Sequence, residues 1–268
     1  MKLYADYAHA SIAMVEDQAF IQALEDLIAK YQITHFFETG TNQGLGSTTM
    51  LANAILKSGT PVKAFYTVER DPFFHGKASK NLEKFPFVTP VLGLSVSEKE
   101  ALEFLQNDPY MKNHEAYPDI FIDDVKDPVG FYVREIQGNL SGANAGAKKE
   151  PQGFVEKLKA IFSSGAEEKD ADNLLESLVS KMADHKPLCL LDSAGGIGYL
   201  EFKNTMKVMN GRPFFLILDD THHIKHWRSR EDVLANPTLR FFTTAPSMAG
   251  PLQDTKSADF QERKEKFR

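Results

Sequence analysis

The sequence predicts an α/β protein: a doubly wound, mostly parallel sheet with flanking helices and a largely helical insertion, all in one domain spanning 1–268. Three observations predict it. Short apolar runs alternate with helix-length segments over 33–105 and again over 188–243, the rhythm of parallel strands joined by crossover helices. Several of those runs end in a carboxylate, at Glu38, Glu69, Asp192 and Asp219. Between the two alternating halves, residues 107–186 break the rhythm. Composition agrees with a folded globule, since hydrophobic residues make up 42% and charged residues 25%.

The first element is a helix over 16–31, where Phe20, Ile21, Leu24, Leu27, Ile28 and Tyr31 recur at three- and four-residue spacing. Three strand and helix pairs follow: 33–37 with 48–56, 62–68 with 72–85, and 87–92 with 98–105. Local signals support the helix ends. Asp71-Pro72 supplies an N-cap and a first-turn proline, Ser97 with Glu100 has the capping-box spacing, and Gly59 stands at a helix stop.

Residues 107–186 contain a run rich in small residues at 139–147, a charged segment at 165–172 and a helical pattern at 174–182. A structureless connection of that length does not suit a compact domain, so the segment reads as an inserted cap or partner-binding element with a mobile loop near Gly142. It also offers a surface for homo-oligomer formation. Alternation then returns with a strand at 188–191, a helix at 199–209, a strand at 214–218, a short helix at 231–234 and a last strand at 239–243; the charged tail at 256–268 is expected to fray. The run 119–124 also reads as a strand ending in carboxylates and competes with 188–191 for the fourth place in the sheet. We favour 188–191.

Charge and hydropathy narrow the function classes. With 31 Lys and Arg against 37 Asp and Glu, the formal charge of −6 gives no global attraction for phosphate backbones, so a nucleic-acid partner is not expected. No apolar run approaches the roughly 18 residues of a membrane span, and the first 17 residues carry His9, Glu16 and Asp17 where an export signal would be apolar. The expectation is a cytoplasmic protein without a membrane partner. The single cysteine, Cys189, has no internal disulfide partner and reads as a small core residue.

The chemistry is concentrated in residues 36–49, Phe-Phe-Glu-Thr-Gly-Thr-Asn-Gln-Gly-Leu-Gly-Ser-Thr-Thr. An apolar strand ends at Glu38, and Gly40, Gly44 and Gly46 turn the chain into a helix whose free N–H groups can receive a carboxylate or phosphate. The spacing lacks the third glycine of a dinucleotide fingerprint and the lysine of a P-loop. The pattern Glu-x-Gly-x-x-x-Gly-x-Gly resembles the first motif of class I S-adenosylmethionine-dependent methyltransferases. The second strand ends in Glu69, suited to accept both hydroxyls of an adenosine ribose. After the third strand the family often has Gly-Asp-Ser, whereas this chain has Gly93-Leu94-Ser95. Leu190-Leu-Asp192 and Ile217-Leu-Asp-Asp-Thr-His-His-Ile-Lys-His226 add a resemblance to small-molecule O-methyltransferases of the macrocin and catechol types.

That resemblance implies a Rossmann-like domain transferring a methyl group from S-adenosylmethionine to a small-molecule acceptor, at a hydroxyl oxygen. It implies a cofactor site of Glu38, Gly40, Thr41, Gly44, Gly46, Ser47, Thr48, Glu69, Ser95 and Asp192. The family's equivalent acids can hold Mg²⁺, which here would fall to Asp192, Asp219 and Asp220. Without a metal, His222 or His223 is the natural general base, with Asp220 beside them, because imidazole titrates near working pH. Trp227 reads as a packing residue at the rim. Two other classes fit the same residues: a non-catalytic S-adenosyl- or nucleotide-binding protein, and an NAD-dependent oxidoreductase with a degenerate glycine loop.

Overall fold

The computed structural model describes residues 14–137, 172–193 and 196–239. The expected loop near Gly142, the charged segment at 165–172 up to residue 171, residues 240–243 of the last expected strand and the tail at 256–268 lie outside the described residues. Leu239 belongs to no strand.

The described residues form a five-stranded, all-parallel sheet in the order β3-β2-β1-β4-β5. Its strands are β1 (His35–Thr39), β2 (Ala64–Glu69), β3 (Thr89–Leu92), β4 (Leu188–Leu191) and β5 (Phe215–Leu218). The helices are α1 (Gln18–Tyr31), α2 (Ser47–Ser58), α3 (Pro72–Asn81), α4 (Glu98–Asn107), α5 (Pro109–Lys112), α6 (Pro128–Ile136), α7 (Leu174–Met182), α8 (Gly198–Met209) and α9 (Trp227–Ala235). This is the Rossmann-like architecture the sequence predicts. No helix among the described residues is long and apolar enough to cross a membrane.

The expected caps form. Asp17 accepts the N–H groups of Ala19 and Phe20, both at 3.0 Å, and so starts α1 two residues later than the periodicity suggests. Asp71 caps α3 ahead of Pro72. Ser97 takes the Glu100 N–H at 3.2 Å, but the Glu100 side chain turns to Asn204 instead of closing the capping box.

Strand alternation divides the core into two layers. Phe36, Phe65, Leu188 and Leu190 pack with Leu24 and Ile28 of α1, Leu51 and Ile55 of α2 and Leu82. Phe37, Val68, Cys189 and Leu191 point the other way, onto Leu175 and Val179 of α7 and Phe202 of α8. Central strands β1 and β4 are therefore buried on both faces. Cys189 is the core residue expected, its thiol pushed up to about 12 by burial.

Two assignments resolve here. The run 119–124 is not the fourth sheet strand: β4 is Leu188–Leu191, and Phe121 instead makes a single parallel bridge to His223. The helix at 174–182, expected within the insertion, covers the sheet as the layer preceding β4. Elements α4, α5 and α6 build a third apolar cluster, in which Leu105, Met111, Ile122, Tyr132 and Ile136 pack on Ile197, Leu200 and Ile224. That cluster fastens the segment after β3 to the turns that follow β4 and β5.

Candidate active site

The strand order reverses at β1, whose neighbours are β2 and β4. In open parallel sheets, ligands bind beyond the carboxyl ends of the strands at such a switch point. The acids singled out by sequence gather there, in two groups.

The first group surrounds the loop after β1. Glu38 is fully buried, and Thr67, its register partner on β2, donates its hydroxyl to Oε2 at 2.6 Å. Because that single proton goes to Glu38, Thr41 Oγ1, 2.5 Å away, donates to Thr67. Glu38 Oε1 is buried and has no hydrogen-bond partner among the described residues. Burial pushes the Glu38 pKa up, opposed by the hydroxyls of Thr48, Thr67 and Ser47. Glu69 holds the loop from the other side: Oε2 accepts the Asn42 N–H at 2.7 Å and Oε1 the Asp71 N–H at 2.8 Å. Burial raises its pKa as well, against the pull of those backbone donors.

The three glycines have different jobs. Gly40 has φ +84°, and a Cβ there would stand 2.2 Å from the Asp192 carbonyl oxygen, so its absence lets β1 and β4 run close together at their ends. Gly44 has φ +72° and abuts the Leu82 side chain. A Cβ at Gly46 would meet nothing within 4 Å among the described residues, and Gly46 precedes α2 without any side-chain cap. The loop that leads into α2 starts beside Glu38 and is held at Asn42 by Glu69.

The second group lies after β4 and β5. Lys225, 6% exposed at its side chain, sets Nζ 3.0 Å from Asp220 Oδ2, 3.3 Å from Asp192 Oδ1 and 4.0 Å from Asp219 Oδ2. Burial alone would lower its pKa, but the three carboxylates outweigh this and raise it. Asp219 is pushed up to about 8, by burial first and then by Asp192, with which it shares a hydrogen bond. Asp192 is also raised by burial, against the attraction of Lys225. Mg²⁺ requires oxygen ligands at about 2.0–2.1 Å around its own centre. With an ammonium already standing among the three acids, a divalent ion does not fit there. Among the described residues, no set of three His, Cys, Asp or Glu side chains is arranged to hold a metal ion.

The histidines separate clearly. The Lys225 backbone N–H donates to His223 Nδ1 at 3.1 Å, which leaves Nε2 to donate to Asp123 Oδ2 at 3.0 Å. Tyr132 donates to the same Asp123 oxygen at 3.1 Å. Both His223 nitrogens are thus engaged, and the ring positions Asp123, which is not the base role the sequence suggests. Burial pushes Asp123 up, but hydrogen bonds from His223 and Tyr132 with the nearby charges bring its pKa below the usual carboxylate range. His226 is fully buried, with Nε2 donating to Leu191 O at 3.0 Å and Nδ1 facing Ser229 Oγ at 3.2 Å. Burial holds it well below the usual imidazole range. His222 is half-buried, and neither ring nitrogen has a hydrogen-bond partner among the described residues. Burial, then the charge of Arg230, lowers its pKa, against Asp220.

Ser95 is buried and donates to Glu201, a fully buried carboxylate on α8 that also receives Ser193 Oγ at 2.7 Å and Thr39 Oγ1 at 3.2 Å. The Glu201 carboxylate thus ties together groups at the ends of β1, β3 and β4, and the Ser95 proton is spent on it. Trp227 packs against Tyr110 and Tyr117, as a rim residue should.

Sequence reasoning missed Lys225, Asp123, Tyr132 and Glu201. Glu201 had a readable signal, since Glu201, Thr205 and Met209 share the buried stripe of α8 at four-residue spacing. Lys225 sat inside the quoted histidine run, where the histidines drew the weight. No protein-family model matches the chain, and no curated protein matches it.

Proposed function

We propose that the chain is an S-adenosylmethionine-dependent methyltransferase acting on a hydroxyl of a small-molecule acceptor. One observation carries the reading: the N-terminus of α2 has no side-chain cap, and the loop that leads into it from β1 starts beside the buried Glu38 and is held at Asn42 by the Glu69 carboxylate. Helix N–H groups at Ser47 and Thr48 suit the carboxylate of an amino acid, and Glu38 its ammonium group. Each Glu69 oxygen accepts one backbone N–H and retains a lone pair for a ribose hydroxyl. Gly40 and Thr41 shape the loop that joins these groups. When bound, the cofactor would supply an electrophilic methyl group.

On the acceptor side, the protein has to orient a hydroxyl and take its proton. His222 is the group for the second task, because its lowered pKa keeps the ring neutral near pH 7 and its nitrogens have no partner among the described residues. Asp123, fixed by His223 and Tyr132 through Oδ2, offers Oδ1 as a hydrogen-bond acceptor for orientation. Asp220, 59% exposed and anchored by Lys225, is a second.

The test is isothermal titration of the protein with S-adenosylmethionine, S-adenosylhomocysteine and NAD. Binding of the two S-adenosyl compounds is expected. Binding of NAD alone would sink the proposal in favour of an oxidoreductase.

A further inference from the structure

We infer that Lys225 is the resident cation of the acceptor half of the site, standing in the position a divalent metal ion takes in sites of this acidic composition. The acids come from two strand ends, Asp192 after β4 and Asp219 and Asp220 after β5; Asp219 and Asp192 share a hydrogen bond, and the negative charge that remains on the cluster calls for a cation. An ion from solution is one solution. This chain carries its own.

Lys225 is not a surface lysine that has fallen into a pocket. Its backbone N–H is spent on His223 Nδ1 at 3.1 Å, the preceding Ile224 N–H on Phe121 O at 2.9 Å, and the following His226 ring is pinned to Leu191 O at 3.0 Å. The turn that delivers it begins at Asp220, φ +49°, closed by the His223 N–H on Asp220 O at 2.8 Å. The turn's own His223 and two distant parts of the chain, Phe121 and Leu191 of β4, thus fix the backbone from which the ammonium reaches the acids. Lys225 acts as a positioning residue: it aligns Asp192 and Asp220 on the sheet's carboxyl edge with a charge that cannot dissociate. The acceptor site consequently works without Mg²⁺ and is indifferent to chelators.

The inference rests on placing the acceptor beside this cluster, yet its test reads cation binding and needs no methyl transfer, so the two can fail separately. Mn²⁺ is titrated into wild type and Lys225→Ala, with free Mn²⁺ followed by electron paramagnetic resonance and the melting temperature recorded in parallel. Wild type is expected to leave Mn²⁺ free into the roughly millimolar range, where even weak oxygen-ligand sites bind. Lys225→Ala is expected to bind at least tenfold more tightly and to gain melting temperature on Mn²⁺ addition, which a purely structural loss of the lysine would not produce. Should Lys225→Ala fail to fold, Lys225→Ala with Asp219→Asn removes one uncompensated acid and serves in its place. Tight Mn²⁺ binding by wild type overturns the inference, and so does a folded variant that binds no better than wild type.

Discussion

Thr67 and Glu38 face each other in register across β2 and β1, and the threonine hydroxyl spends its only proton on the glutamate at 2.6 Å. The hydroxyls of Thr48 and Ser47 also bear on the fully buried Glu38 carboxyl, and Thr41 leans on the same threonine. Thr67→Val keeps the shape and removes the donor. Leaving a buried carboxyl unsatisfied costs about 1–3 kcal/mol, so urea denaturation should show a loss of that order, largely recovered in Thr67→Ser. A Thr67→Val protein as stable as wild type would mean that Glu38 finds another partner.

The three loop glycines should respond differently to substitution. Gly40→Ala places a methyl against the Asp192 carbonyl and forces a side chain into positive φ, so it should lower stability outright. Gly44→Val meets the same φ penalty and crowds Leu82, so its loss of function should come with loss of fold. Gly46→Val adds a side chain whose Cβ meets no atom of the described residues within 4 Å, and circular dichroism should stay native while binding of S-adenosylhomocysteine disappears. Retained binding in Gly46→Val would move the ligand away from α2.

Glu69 is expected to matter twice, through the ligand and through the loop. Glu69→Ala removes the acceptor of the Asn42 and Asp71 N–H groups as well as that of the proposed ribose. Charge-assisted hydrogen bonds contribute about 1.5–3 kcal/mol, so S-adenosylmethionine affinity should fall at least tenfold, with a lower melting temperature. Glu69→Gln retains the shape and separates the two effects: affinity should drop more than stability. Calorimetric titration and thermal denaturation of both variants check this.

What the sequence disclosed follows from how local each signal is. Asp17, Asp71 and Ser97 cap helices through bonds to residues two or three positions away, and such signals can be read from a line of text. The parallel sheet was equally legible, because β1 and β4 are short runs buried on both faces that hold Phe36-Phe37 and Leu188–Leu191. The site was legible only in part. Gly46 and Gly44 look alike in sequence, and what separates them is Leu82, thirty-eight positions beyond Gly44. Likewise His223 loses its availability to Asp123 and Tyr132, about a hundred residues earlier, through the one bridge at Phe121. Lys225 could not be weighted correctly until the ends of β4 and β5 were known to lie side by side.

Glu135 on α6 gives the protein a distinct pH signature. Its Oε2 is buried without a partner among the described residues, and burial, aided by Asp123 and opposed by Arg70 and Lys225, pushes its pKa from the ordinary 4.5 up to about 7. The folded state therefore binds this proton more tightly than the unfolded chain. Stability from this group is full below the unfolded value and is lost as pH rises through about 7. The shift would correspond to about 3 kcal/mol at most, reduced to roughly 1–2 kcal/mol because the side chain keeps part of its solvent contact. Glu135→Gln cannot ionise, so it should equal or trail wild type at pH 5 and exceed it in stability at pH 8 by that amount. Urea denaturation of both proteins at the two pH values decides the matter, and a difference between them that does not change with pH would show that Glu135 titrates as an ordinary surface glutamate.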